Sequence, residues 1–539
     1  MKWLKRNWYW LLFGAMALLT VYMDVYVALN LLDGDASELL CRGMVFAREG
    51  NPVSRNYWFT TELRLLGVDF VFFLLFQLTQ NALLVRILGT VLMQALYVLS
   101  FLYMGRQAGA RKSARVVSAA LLLMPFSTAY ARVVLYHLYY ILYLTNAFLL
   151  VGLTLHTLRL WQEQKRKAAV PALLLGLLWV FVGLNGVRHM MIIGAPMLLF
   201  GFIRLIKALN QHGFQKSLLR TDAFRLCLIL LGSCLCFLVG YLLNEYVLLP
   251  YYEVRWNTLY SFTPSFEPEE FTRVLNMWLK AIGARVTDES LMSLRGVALA
   301  AALYIAVYGL ICSLKKEEEP LGKAMLRSLL GLSMLISTFI FILERTTRYY
   351  ELYYVPVIAL TFPLLTVELD AVQKAGRKAL CLLCCLCLVF TGSYTAKFML
   401  TKDESMDLWS GINYNTMSVA EDLSDCVEFM EEEEYTHALI GYWYANPMME
   451  LSSGQLTVGP VEITYAMNDD EESIISLYPW GTSKTAFLPE NLPDTVLVFL
   501  RWEDELPTFL EYFPDDAELV WEGYPFSACE IPSDLLTLP

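Results

Sequence analysis

Apolar runs of about twenty residues, the length that crosses a bilayer as a helix, recur along the first 400 residues of this chain. No other feature constrains the fold as tightly. A backbone inside hydrocarbon must satisfy its own polar groups, so each run has to be a helix. Composition agrees: 57% of residues are hydrophobic and 17% charged, against about 25% charged in soluble domains. A plain water-soluble globule and a disordered chain are both excluded. The formal charge of −11 hides a split, because residues 1–401 carry +15 and residues 402–539 carry −26. This predicts a basic multi-span body, 1–400, followed by an acidic soluble domain, 401–539. The basic residues fall in short scattered loops, which argues against nucleic-acid binding.

The first run, Trp8 to Leu32, follows Lys2, Lys5 and Arg6 and reads as an uncleaved span with its N-terminus inside. Leu65 to Leu78 is only 14 residues long and contains Asp69, so it reads as an interfacial or re-entrant segment. If it does not cross, the inside loops 106–115, 159–167, 204–225, 315–327 and 374–378 hold 20 basic residues, and the outside loops hold nine. That bias fixes the direction. The expected architecture is an α-helical polytopic membrane protein with 11 spans, near 8–32, 82–104, 115–131, 137–158, 169–187, 189–207, 225–248, 296–314, 327–343, 351–368 and 379–397. Outside lie loops 33–81 and 249–295 and the acidic domain. The stretch EEFTRVLNMWLKAIGA in the second loop reads as a helix on the membrane surface. In the acidic domain, THALIGYW, DTVLVFLRW and ELVWEG read as strands and VAEDLSDCVEFMEE as a helix, giving an α/β domain. The cysteines in apolar runs read as small hydrophobes. Cys426 and Cys529 are a disulfide candidate if the domain is outside.

Polar groups with chemistry to do should gather at one side of such a body. Just after the first span, LLDGDASELLCRGMVFAREGNP places Asp33 and Asp35 where the chain leaves the bilayer. A carboxylate at a low-dielectric boundary suits a general base. Either one also suits the cap of the helix that follows, with Glu38 completing a box-like start. Further on, Arg345 and Arg348 in ILERTTRYYELYYVP offer planar forks of donors for phosphate oxygens, or anchor the interface with their Tyr neighbours. In VGLNGVRHMMIIGAP, Arg188 and His189 occupy a short turn suited either to phosphate or to headgroups. His137, near the outer end of the fourth span, reads as structural first and otherwise as a lining residue of the acceptor or sugar cavity. In NYWFTTELRLLG, Trp58, Glu62 and Arg64 could line a cavity mouth, Trp58 stacking on a sugar or forming an interfacial belt. No phosphate-binding Gly-rich loop and no HExxH zinc motif occurs.

A first span, an acidic motif opening a surface helix, a Gly-Asn-Pro, a short apolar segment and a second span together resemble the GT-C glycosyltransferases. That superfamily includes the protein O-mannosyltransferases, the lipid A aminoarabinose transferase and the oligosaccharyltransferase catalytic subunits. The resemblance covers most of residues 1–400, chiefly by topology. In the aminoarabinose-transferase-like branch the catalytic Asp stands about fifteen residues before the Gly that ends the first surface helix. Asp35 to Gly50 fits that spacing, and Asp33 lies two residues too far. The resemblance implies a polyprenyl-phosphate sugar donor, a glycan, lipid or protein acceptor, and a location in the cytoplasmic membrane with chemistry on its outer side. It implies Asp35, with Asp33 beside it, as the base, and Arg345, Arg348 and Tyr349, with Arg188 and His189, at the lipid phosphate. Where members carry an acidic residue near the fourth span, this chain has Tyr136, His137 and Tyr139. No cofactor is required on this reading, and a divalent metal is left open. The competing expectations are a lipid-linked sugar flippase or polysaccharide polymerase, which needs polar residues threading the spans, and a non-catalytic scaffold. The inner halves of the spans read as dry.

Overall fold

A computed structural model describes residues 2–60, 63–163, 166–254, 268–282, 307–308, 311, 319–343, 351–371, 375–401, 417–466 and 473–539. The chain forms two compact units. The first comprises Met1–Met23, Leu92–Tyr246 and Leu259–Ile412. The second comprises Asp24–Val91, Val247–Thr258 and Asn413–Pro539.

Among the described residues, seven helices are long and apolar enough to cross a membrane: Asn7–Asn30, Ala82–Gln107, Ile141–Glu163, Met190–His212, Asp222–Tyr251, Leu321–Leu343 and Leu352–Asp370. The protein is an integral membrane protein. A 15-residue apolar helix, Ala169–Gly183, and the 27-residue helix Ala375–Thr401 occupy two more of the expected spans. The expected span 296–314 falls almost wholly outside the described residues. The expected span 115–131 is not one helix. Helix Lys112–Leu122 stops, and after a break the chain continues as Thr128–Tyr130 and a π-helical turn, Ala131–Tyr136. Pro125 sits in the break, where it lacks an N–H and its ring opposes a continuous helix. The orphaned Leu122 carbonyl is taken by the Tyr130 hydroxyl at 2.6 Å, and Ser127 Oγ accepts from the Tyr130 N–H at 3.1 Å.

The helical unit holds more charge than its sequence suggests. Around helices Leu321–Leu343 and Thr361–Asp370, Arg327 pairs with Glu319 and Glu368 at 3.0 Å each. Asp370 meets Arg111 at 2.8 Å and Lys323 at 2.5 Å. Arg327, Glu368 and Asp370 are buried. These charges in and beside apolar helices are tolerated because they meet partners. The amphipathic segment of the second loop is helix Pro268–Ile282. It does not simply lie on a membrane surface. Val274, Trp278 and Ala281 are buried within the unit, Trp278 meets the Tyr354 ring at 4.7 Å, and its Nε1 donates to Thr338 Oγ1 at 2.9 Å. Phe271 and Leu275 on the same helix stay exposed.

The second unit is built on a seven-stranded mixed sheet. Its strands run in the order Glu518–Trp521, Phe526–Pro532, Thr495–Arg501, His437–Ile440, Thr457–Thr464, Ile474–Leu477, Leu536–Thr537. Thr495–Arg501 and His437–Ile440 are parallel neighbours. Residues Val496 to Leu500 are all buried, as a near-continuous apolar run in a central strand requires. Helices Ala420–Glu432 and Glu505–Tyr512 add to the same unit. Leu439, Val498, Leu500, Phe509 and Cys529 share one core. Cys426 and Cys529 are both free thiols, buried separately, so the disulfide candidate is not realised.

The acidic segment does not fold alone. Leu31–Asp33 pairs antiparallel with Met417–Val419. Tyr57–Phe59 pairs parallel with Glu253–Val254 and antiparallel with Thr482–Ser483. Helix Gly34–Glu49, of 16 residues, and helix Val68–Phe76, of nine, complete the unit. Nine residues span about 14 Å, half of a hydrocarbon core.

Candidate functional site

The two carboxylates that open helix Gly34–Glu49 divide their work. Asp33 is extended, at φ −132° and ψ 129°, and 1% exposed. Its Oδ1 accepts from the Asp35 N–H at 3.1 Å and the Ala36 N–H at 3.2 Å. Asp33 is therefore the cap, satisfying donors that the first helical turn leaves orphaned. Asp35 lies inside the first turn, half-buried, where the positive end of the helix dipole favours a carboxylate. Its Oδ1 accepts a hydrogen bond from the Tyr442 hydroxyl at 2.8 Å. Gly50 ends the helix at φ +65°, a left-handed conformation that glycine takes without penalty.

The first half of the helix carries a buried network. The Arg42 guanidinium donates to Glu38 Oε2 at 3.3 Å, stands 3.6 Å from Asp69 and sits over the Phe59 ring. Tyr57 donates to Glu38 Oε1 at 3.0 Å. Burial pushes the Glu38 carboxyl above its ordinary range, and Arg42 opposes that shift. Ser37 donates to Glu450 Oε2 at 2.6 Å. Arg86 holds both oxygens of the Glu450 carboxylate through Nε and Nη2. Glu450 and Arg86 were not singled out from the sequence. The available signal was Arg86 itself, a cation in the apolar run ALLVRILGT, since an ionisable residue there needs a partner.

The raised Glu38 value gives a pH prediction. The folded unit holds that proton more tightly than the unfolded chain. The contribution is complete below the unfolded carboxyl value of 4.5 and is lost as pH rises through the folded one. Lowering pH from about 7 to about 5 should therefore raise the melting temperature of the wild type relative to Glu38→Gln. A difference between the two that stays flat with pH would reject the assignment.

Trp58 lies in strand Tyr57–Phe59. Its Nε1 donates to Glu253 Oε2 at 2.9 Å, and Lys484 reaches Glu253 Oε1 at 2.7 Å. The Lys484 hydrogen bond holds the Glu253 carboxyl below its usual range. The indole is thus fixed by its edge in a strand pairing. Arg64 is half-buried and acts on Glu38 electrostatically. Glu62 lies outside the described residues, as do Arg345, Arg348 and Tyr349.

In the helical unit, Arg188 lines a cavity of ≈ 400 Å³ together with Tyr140, Tyr143, Tyr241, Phe341 and Tyr353. Its Nη1 donates to the Tyr140 hydroxyl at 3.0 Å, and its guanidinium carbon stands 4.8 Å from the Tyr353 ring centre. Neighbouring His189 is buried and stacks on Tyr143 at 4.6 Å, with Asn146 at 3.4 Å from Nε2. The pair is split: Arg188 faces the cavity and His189 packs behind it. His137 is buried at the end of the π-helical turn. The described lining of the cavity has apolar walls, the Arg188 guanidinium and several phenols, which suits an amphiphile with an anionic head.

Among the described residues no group of three or more His, Cys, Asp and Glu is placed to hold a metal ion. The carboxylates around Asp35 do not make such a set, because Asp33 is turned into the cap and Glu38 is held by Arg42 and Tyr57.

No family model matches the chain, and no curated protein matches it in sequence. Among solved structures it is similar to the oligosaccharyltransferase of Archaeoglobus fulgidus in the apo form, with 12% identity and a TM-score of 0.49 over 85% of this chain and 65% of that one. The same oligosaccharyltransferase in complex with Zn and sulfate aligns at 13% identity and a TM-score of 0.47, over 96% of this chain and 72% of that one. The arabinofuranosyltransferase AftD from Mycobacteria aligns at 11% identity and 0.43, over 98% of this chain and 41% of that one. The chain spans less than two thirds of the length of the first of these and under half of the last.

Proposed function

We propose that this protein is a membrane glycosyltransferase that moves a sugar from a polyprenyl-phosphate donor to an acceptor hydroxyl on the extracytoplasmic side. The N-terminus is then cytoplasmic and the unit carrying Asp35 lies outside, in line with the basic bias of the opposite loops. One observation carries this reading: Asp33 caps the helix, which leaves Asp35 as the half-buried carboxylate at its start. The acceptor oxygen attacks the anomeric carbon in a single displacement. Its proton passes to the Asp35 carboxylate, and the bond to the phosphate oxygen breaks. Polyprenyl phosphate departs with the bonding pair. From the sequence, Arg188 is assigned to the lipid phosphate; within the helical unit it lines an apolar cavity that suits an anionic head and its first isoprenes. Arg345, Arg348 and Tyr349 are assigned to the same phosphate from the sequence alone. The acceptor is a glycan, lipid or protein.

The test is release of polyprenyl phosphate from a panel of polyprenyl-phosphate sugars by membranes containing the protein. Arg188→Leu removes a charge-assisted contact and should weaken donor use roughly 10–100-fold, read as a higher donor KM. No release from any donor would count against the transferase and for a flippase or a scaffold. Release with an unchanged donor KM in Arg188→Leu would move the lipid phosphate away from this cavity.

A further inference from the structure

We infer that Tyr442 is a positioning residue for Asp35, so that the acidic C-terminal segment helps to set the base. The inference rests on Asp35 being that base. Tyr442 is the first residue of helix Tyr442–Leu451, and its hydroxyl reaches Asp35 Oδ1 at 2.8 Å across 407 positions of sequence. A hydrogen bond from one fixed donor sets the plane of the carboxylate and favours its charged form.

The donor is itself held. The Tyr442 ring meets Trp443 at 5.0 Å and Trp480 edge-on at 6.2 Å, and Trp480 stacks on Tyr478. Trp443 lies so close to the start of the other helix that a Cβ on Gly34 would stand 3.0 Å from its Cα. Ser37, Cys41 and Arg86 then tie the rest of helix Tyr442–Leu451 to helix Gly34–Glu49, through Glu450 and the Asn446 carbonyl. Among the described residues, the charged and titratable groups near Asp35 include Asp33 before it, Glu38 one turn on, Tyr442 across from it, and the Glu450–Arg86 pair reached through Ser37. The Tyr442 hydroxyl bonds the Asp35 carboxylate directly.

The test is Tyr442→Phe in full-length protein, assayed for polyprenyl-phosphate release beside Asp35→Asn, with melting temperature as the folding control. The expected result is a kcat lower by roughly 10-fold with KM and melting temperature unchanged. The acidic limb of the pH–rate profile should move upward. A lower kcat with an unmoved acidic limb would overturn the inference and make Tyr442 a packing residue. So would wild-type kinetics, or a change confined to KM. If Asp35→Asn keeps full activity, the base assignment falls and this inference falls with it. If Asp35→Asn is inactive and Tyr442→Phe is unchanged, only the positioning role is lost.

Discussion

Asp35→Asn will lower sugar transfer by roughly 10²–10⁴-fold, the range a well-placed general base contributes, and will leave the protein folded. The side chain keeps its shape, and an amide oxygen still accepts from the Tyr442 hydroxyl that Asp35 Oδ1 meets at 2.8 Å. What is lost is the capacity to take a proton. Asp33→Asn is the matched control. Asp33 acts through a side-chain oxygen that accepts two backbone N–H groups, and asparagine caps helices about as well as aspartate. It should keep near-wild-type transfer and melting temperature. The measurement is polyprenyl-phosphate release per mole of folded protein for the two variants side by side. If Asp33→Asn loses activity and Asp35→Asn keeps it, the roles are exchanged.

The largest effect on stability is expected at the Glu450–Arg86 pair. Both side chains are buried, and Arg86 grips both carboxylate oxygens while Ser37 fills a further acceptor site. Two ions out of water stabilise little as a pair, but removing one strands the other. Glu450→Leu, or Arg86→Leu, should each cost about 3–5 kcal/mol, a large share of the 5–15 kcal/mol typical of a folded domain. Arg86→Leu with Glu450→Leu should recover much of that loss, because no uncompensated charge remains. Thermal unfolding of the purified protein and its two single variants and double variant, in one detergent, gives the comparison. Single variants that melt with the wild type would show that the pair carries no such weight. The same variants should lose transfer activity in parallel, since this pair helps hold the helix bearing Tyr442 against the helix bearing Asp35.

How much of this was legible in the residues differs by element. Helix Gly34–Glu49 could be read locally, with two candidate caps at its start and Gly50 at its end, because capping and a left-handed C-terminus are short-range effects. Which of Asp33 and Asp35 caps the helix was not legible. Either residue can cap, and the backbone torsion at Asp33 decides it. The break at Pro125 was present in the sequence, but a long apolar run spoke louder than one proline. The strands of the acidic segment, such as Thr495–Arg501, announced themselves by β-branched and apolar residues in short runs.

Hydropathy alone makes this a membrane protein: runs of this length and apolarity cannot be solvated otherwise, and hydrocarbon forces each of them into helix. The residues also establish that the C-terminal segment is acidic and strand-containing, and that carboxylates stand where the chain leaves the first span. Long-range pairing joins this segment to residues 24–91, through Leu31–Asp33 with Met417–Val419 and Tyr57–Phe59 with Thr482–Ser483. Folding alone brought Tyr442 to Asp35 and Glu450 to Arg86 and Ser37, partners as far as 413 positions apart. Periodicity, caps and hydropathy are local signals, set by residues within a few turns of each other. Pairings between distant segments leave no period in a single sequence, and they exist only once both segments are folded and packed.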